Sequence, residues 1–140
     1  MTLTITQTRD IAACRAIRHE VFIVEQGFSV SDDLDGLDDT AIHLLAMVAA
    51  EPVGTARLLM KGETGKIGRV SVLPEYRRQG IGKALVLKAI DVFAENPDIT
   101  NARLSAQADA ISFYEPLGFE ATGEVFMDAG APHRDMVRPL

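Results

Sequence analysis

Thiols and imidazoles are scarce in this sequence, and their scarcity removes whole classes of chemistry. A single cysteine, Cys14, can neither close an internal disulfide nor build a cysteine zinc site. Three histidines, His19, His43 and His133, show no zinc-ligand spacing, and no metal is expected. No apolar run approaches the roughly 20 residues that cross a bilayer, so no membrane partner is expected. Positive charge is in deficit. A net charge of −6 argues against broad nucleic-acid binding, which needs a basic face. The first residues, MTLTIT, have neither a charged nor an apolar signal region, so a cytoplasmic location is expected. Repeats, low-complexity tracts and Pro/Gly/Ser linkers are missing too. The expectation is one domain over residues 1–140, with 47% hydrophobic residues to fill its core.

What is there reads as alternating elements. Residues 2–8 alternate polar and apolar as a first strand. Asp10 is placed to cap a helix that buries Ile11, Cys14, Ile17, Val21 and Phe22. An acidic loop, SDDLDGLDD, covers residues 31–39. Residues 42–50 and 53–60 read as strands around a Glu51-Pro52 turn, and residues 67–73 as a third strand that Pro74 stops. A helix over 79–93 carries an apolar face of Ile81, Ala84, Leu85, Ala89, Val92 and Phe93. Residues 102–107 form a short strand with Ala102, Leu104 and Ala106 on one side. A helix over 108–117 ends at Gly118, and residues 119–126 and 134–138 close as a strand pair. The order predicts an α+β fold, a mixed and mostly antiparallel central sheet flanked by helices.

Positive charge and bare backbone gather at one junction, YRRQGIGKAL, where the third strand hands over to the long helix. A helix start leaves amides unpaired and partly positive, and glycines let an anion approach them. Arg77, Arg78 and Lys83 add formal charge, so an anion is expected there; a solvated turn with surface arginines is the plainer alternative. Two phosphate loops fail. The P-loop G-x-x-x-x-G-K-S/T meets Arg77 and Ala84, and the dinucleotide G-x-G-x-x-G meets Leu85. The pattern R/Q-x-x-G-x-G/A fits at Arg77, Gly80 and Gly82.

With VSVLPEYRRQGIGKAL before it and FYEPLGF after it, this loop resembles the GNAT N-acetyltransferase superfamily, from about residue 10 to 138. IRHEVFIVEQG, DLDGLDD and the later SAQA and GEVF segments resemble its ElaA-like subfamily. The resemblance implies the GNAT acyl-CoA N-acyltransferase fold and acetyl transfer from acetyl-CoA to a primary amine, by direct attack in a ternary complex. It implies that Arg77, Arg78, Gln79, Gly80, Ile81, Gly82 and Lys83 hold the pyrophosphate, mainly through backbone amides. It implies that Val70 and Val72 pair with the pantetheine arm, that an amide near Val72 polarises the acetyl carbonyl, and that the strand over 102–107 splays away. Tyr114 matches the usual general acid. Many members carry Asn where this chain has Gln107, whose longer amide faces the same arm. The resemblance also admits a homodimer.

The general base stays open among Glu20, Glu25, His43, Glu124 and His133. Glu25 and His43 are the candidates for the acceptor pocket. The acidic loop fails the EF-hand frame, with Ser31 first and Ile42 where glutamate belongs. It reads either as a solvated loop or as an attractor for a cationic amine, which favours a small amine over a protein as acceptor. Arg18 and Phe22 faintly resemble acyl-homoserine-lactone synthases, but Arg18 reads better as a structural charge for that loop. Cys14 reads as an inert core thiol. Rival functions are a non-catalytic acyl-CoA sensor and an acyltransferase using another acyl-CoA.

Overall fold

In a computed structural model that describes residues 2–140, the described strands form one seven-stranded sheet in the order β1-β2-β3-β4-β5-β7-β6. The strands are β1 (Leu3–Thr8), β2 (Ile42–Val48), β3 (Glu51–Lys61), β4 (Thr64–Val72), β5 (Asn101–Gln107), β6 (Glu120–Asp128) and β7 (Ala131–Pro139). Every neighbouring pair is antiparallel except β4 and β5. The mostly antiparallel α+β expectation therefore holds.

Helix α1 (Ile11–Arg18) starts where expected, with the Asp10 carboxylate accepting from the Ala13 amide. It buries Cys14 and Ile17 against Leu45. It does not run on as a plain α-helix to Phe22. His19–Glu25 widens into a π turn, with the Gln26 amide donating to the Val21 carbonyl at 3.1 Å. The β-branched run Val21, Ile23 and Val24 suits a regular helix poorly. A short α2 (Val30–Asp33) follows, held by a reciprocal cap between Ser29 and Asp32.

The long helix α3 (Ile81–Ala94) crosses the opposite face. Leu85, Val86, Ala89 and Phe93 are fully buried, so the helix is covered on more than one side. Burying each large side chain stabilises the fold by about 1.5–3 kcal/mol. Gly65 lets the helix approach: a Cβ there would meet the Phe93 ring at 2.5 Å.

Further sequence expectations shift. The β2–β3 turn is Ala49-Ala50, both with positive φ (51° and 67°), and Glu51-Pro52 already belongs to β3. The helix over 108–117 breaks into a 3-10 turn at Ala108–Ala110, a short α4 (Ile111–Tyr114) and another 3-10 turn at Glu115–Leu117. Pro116 has no amide to donate to the turn before it. Gly118, at φ 93°, ends the segment as predicted.

Candidate acyl-donor cleft and acceptor pocket

The parallel pairing of β4 with β5 lasts three rungs, Thr64 with Asn101 to Lys66 with Arg103. Beyond them the strands part. β4 also bulges, because Arg69 and Val70 together face Ala56 of β3, and Arg69 is left-handed at φ 53°. After the bulge the Leu73 amide donates to the Val53 carbonyl at 2.9 Å, which makes that rung a hydrogen-bonded one. Antiparallel rungs alternate, so Val72, opposite Gly54, turns its peptide groups away from β3 and into the gap. Val70 and Val72 thus stand, half-buried, on an open strand edge.

At the mouth of that gap the chain turns through Pro74–Tyr76 and enters α3. Arg78 (φ 63°) and Gly80 (φ 81°) are left-handed, and Gly80 is the N-cap with no side-chain cap bond. The first-turn amides of Ile81, Gly82 and Lys83 have no protein acceptor among the described residues. Alternating backbone handedness before a helix makes an anion-binding concavity. A Cβ built on Gly80 meets nothing within 4 Å, so an anion has room over it. Arg78, Gln79 and Lys83 are exposed around this hollow.

Arg77 is placed differently from the sequence expectation. Its guanidinium forms a bidentate pair with Glu25, and its Nε donates to the Val72 carbonyl at 3.0 Å. The hydrogen bond from Arg77 lowers the Glu25 carboxyl below its usual range. The next residue, Gln26, accepts from Gln107 Nε2 at 2.9 Å. Consecutive side chains from the end of the π turn therefore reach both sides of the gap. Gln107 faces the α1 side rather than standing free.

Beside that link lies a cavity of about 500 Å³ lined by Gln26, Phe28, Gln107, Asp109 and the β6–β7 turn at Ala129–Ala131. Asp109 and Gln26 are absent from the residues chosen by sequence. Their only sequence signal is a position at the end of a helical turn for Gln26 and just after a strand for Asp109.

Tyr114 sits half-buried, edge-on to Phe113 (4.9 Å between centroids) and to Phe119 (6.1 Å). Burial pushes its phenol up to about 12, so it is a neutral donor at physiological pH. No hydrogen bond contributes to that shift.

His43 stands apart from that cavity. It is 3% exposed, its Nε2 lies 2.8 Å from the Asp38 carbonyl, and it is not among the cavity's lining residues. Its place at the start of a strand beside the acidic loop suggested a pocket role, and it packs beneath that loop. His133 is also buried, bonded to the Ala131 carbonyl and stacked on Phe126. Glu20 and Glu124 are exposed. Burial raises the Cys14 thiol, in keeping with an inert role.

The acidic loop is not a free anionic surface. Arg18, 1% exposed, binds Asp33 and Asp38 at 2.9 Å each. Arg15 takes Asp38 at 2.8 Å, and Arg57 takes Asp35 at 2.7 Å. Arg18 is therefore the structural charge that its sequence context suggested. Burial alone would raise Asp38, yet hydrogen bonds from Arg18 and Arg15 more than offset it, and its carboxyl lies far below the usual range. The hydrogen bond from Arg57 lowers Asp35 from 3.8 to about 2. A depressed folded pKa gives stability that is complete above the unfolded value and fades as pH falls through the folded one. Melting temperature should therefore drop between about pH 4 and pH 2, and an Asp35→Asn variant should lose part of that dependence in the same thermal scans.

A sheet parted in this way beside an uncapped, glycine-led helix is the fold of the acyl-CoA N-acyltransferases. The chain matches the acetyltransferase (GNAT) domain over residues 20–140 and belongs to that family. ElaA of Escherichia coli is 33% identical over 128 residues, covering 89% of this chain and 84% of ElaA. The ElaA crystal structure aligns with a TM-score of 0.87 at 29% identity over 98% of this chain and 99% of that one. An acyl-CoA N-acyltransferase from Pseudomonas aeruginosa gives 0.87 at 31%, with the same coverage. PaiA N-acetyltransferase from Thermoplasma acidophilum, in complex with coenzyme A, shares the fold at 18% identity, with a TM-score of 0.73 and full coverage of both chains. As a family member the protein is an N-acyltransferase that moves an acyl group from coenzyme A to an amine. None of its described helices is long and apolar enough to cross a membrane.

Proposed function

We propose that this enzyme transfers acetyl from acetyl-CoA to a small amine, by direct attack within a ternary complex. The observation that carries the reading is the open β4 edge at Val70 and Val72 leading to the uncapped start of α3. In this reading the Arg78–Lys83 amides hold the pyrophosphate, and Lys83 adds charge. The Val72 edge pairs with the pantetheine arm once the Arg77 guanidinium gives up the carbonyl. An amide on that edge stabilises the oxyanion that forms as the amine attacks. Tyr114 gives its proton to the departing thiolate.

The cavity beside Gln107 takes the acceptor, with Asp109 as the acid on its wall and Glu25 at its margin. A pocket of this size suits a small molecule better than a folded protein surface. The acceptor must arrive as, or become, a neutral amine, because an ammonium has no lone pair to attack with.

Release of free coenzyme A thiol, followed with purified protein and a panel of small amines, tests the proposal. Thiol release that needs both acetyl-CoA and one class of amine is expected, with longer acyl-CoAs slower. Tight acetyl-CoA binding without release for any amine or acyl chain would point to the sensor reading instead.

A further inference from the structure

The cleft depends on the β4 bulge, and the bulge is tied to the acidic loop. Arg69, the left-handed bulge residue, sends its guanidinium into that loop. Its Nη2 donates to the Asp32 carbonyl at 3.2 Å, to the Asp33 carbonyl at 3.3 Å and to Asp35 Oδ2 at 3.3 Å. Its Nε lies 3.2 Å from Asp33 Oδ1. The same Asp35 oxygen accepts from Arg57 Nη2 at 2.7 Å, and Arg57 is on β3, opposite Gly68. One carboxylate oxygen thus fastens both strands of the bulged pair. The loop is in turn anchored to α1 through the buried Arg18.

We propose that the acidic loop is a brace for the acyl-donor cleft, and that Arg69 and Asp35 are positioning residues for the donor's pantetheine arm. A non-glycine residue in the left-handed region persists only where its surroundings hold it. A bulge re-aims the strand that follows it. Here that strand is Val70–Val72, the open edge of the gap, which has no β5 partner to set its direction. The brace supplies that direction from the other side of the sheet. This inference rests on the reading that the Val70–Val72 edge carries the arm.

The test compares two ligands by calorimetric titration. Acetyl-CoA needs the strand edge and the helix start, whereas 3′-phospho-ADP, its nucleotide half, needs only the helix start. Arg69→Gly removes the tether yet leaves a residue that accepts positive φ, so the fold is kept. Asp35→Asn weakens the same tether from the loop side and serves as the second variant. For both, acetyl-CoA should bind at least about tenfold more weakly, while 3′-phospho-ADP changes less than about twofold. Arg69→Lys, which keeps the charge, should recover part of the loss.

An equal loss for both ligands would mean a general structural defect, and unchanged acetyl-CoA binding would mean no brace; either overturns the inference. A folded wild type that binds neither ligand would overturn the functional reading itself, a result distinct from both.

Discussion

Gly80→Trp should abolish measurable acetyl-CoA binding while leaving the protein folded. Gly80 is the N-cap of α3 at φ 81°, and the space where its Cβ would stand is open. An L-residue held there costs about 1–2 kcal/mol, and the cost falls on an exposed turn rather than on the core. The melting temperature should drop by only several degrees. The ligand loses far more. The indole fills the approach to the Ile81, Gly82 and Lys83 amides, and any relaxation of the turn re-aims them. A hydrogen bond to a charged group contributes about 1.5–3 kcal/mol. Losing two of them corresponds to a weakening of about a hundredfold or more in calorimetric titration. Wild-type affinity in the variant would remove the helix start from the donor site.

Tyr114→Phe should cut turnover by about a hundredfold or more while acetyl-CoA affinity stays within about twofold. The substitution keeps the ring, so its edge-on contacts with Phe113 and Phe119 survive. What goes is the proton. The phenol lies at about 12 and is neutral at every pH where the enzyme would be assayed. Turnover in the wild type should therefore climb with pH as the acceptor amine loses its proton, with no fall attributable to Tyr114 until the pH nears about 12. A pH–rate profile and single-turnover thiol release check both statements. Equal turnover by the two proteins, with a true acceptor, would take Tyr114 out of the mechanism.

Much of the fold was legible because the residues concerned act locally. Ala102, Leu104 and Ala106 alternate with polar neighbours, and they are the buried face of β5. Asp10 and Gly118 punctuate helices through their own side chain or its lack. The R-x-x-G-x-G loop was legible for the same reason, since its chemistry lies in consecutive amides.

The features that escaped depend on distant partners or on weak local preferences. No residue preference marks Ala49-Ala50 as a left-handed pair; the two strands impose it. The parting of β4 from β5 was implied by the family resemblance, but its extent, three paired rungs, needed the folded chain. Arg18 was legible as a charge for the acidic loop, but the other arginines that neutralise it lie elsewhere, at Arg15 on α1 and at Arg57 and Arg69 on β3 and β4. The bond from His43 to the backbone of that loop likewise appears only in the folded chain.

The three rungs joining β4 to β5 also bear on mechanics. Four strands lie on one side of that seam and three on the other. Every strand pair within either half has six or seven partnered residues, so the seam is the narrowest hydrogen-bonded waist in the sheet. Bending concentrates at such a waist. The halves can tilt about it like leaves on a short spine, widening or narrowing the gap without unzipping a ladder within either half. The sheet is thus held most weakly, in hydrogen bonds, beside the gap it opens.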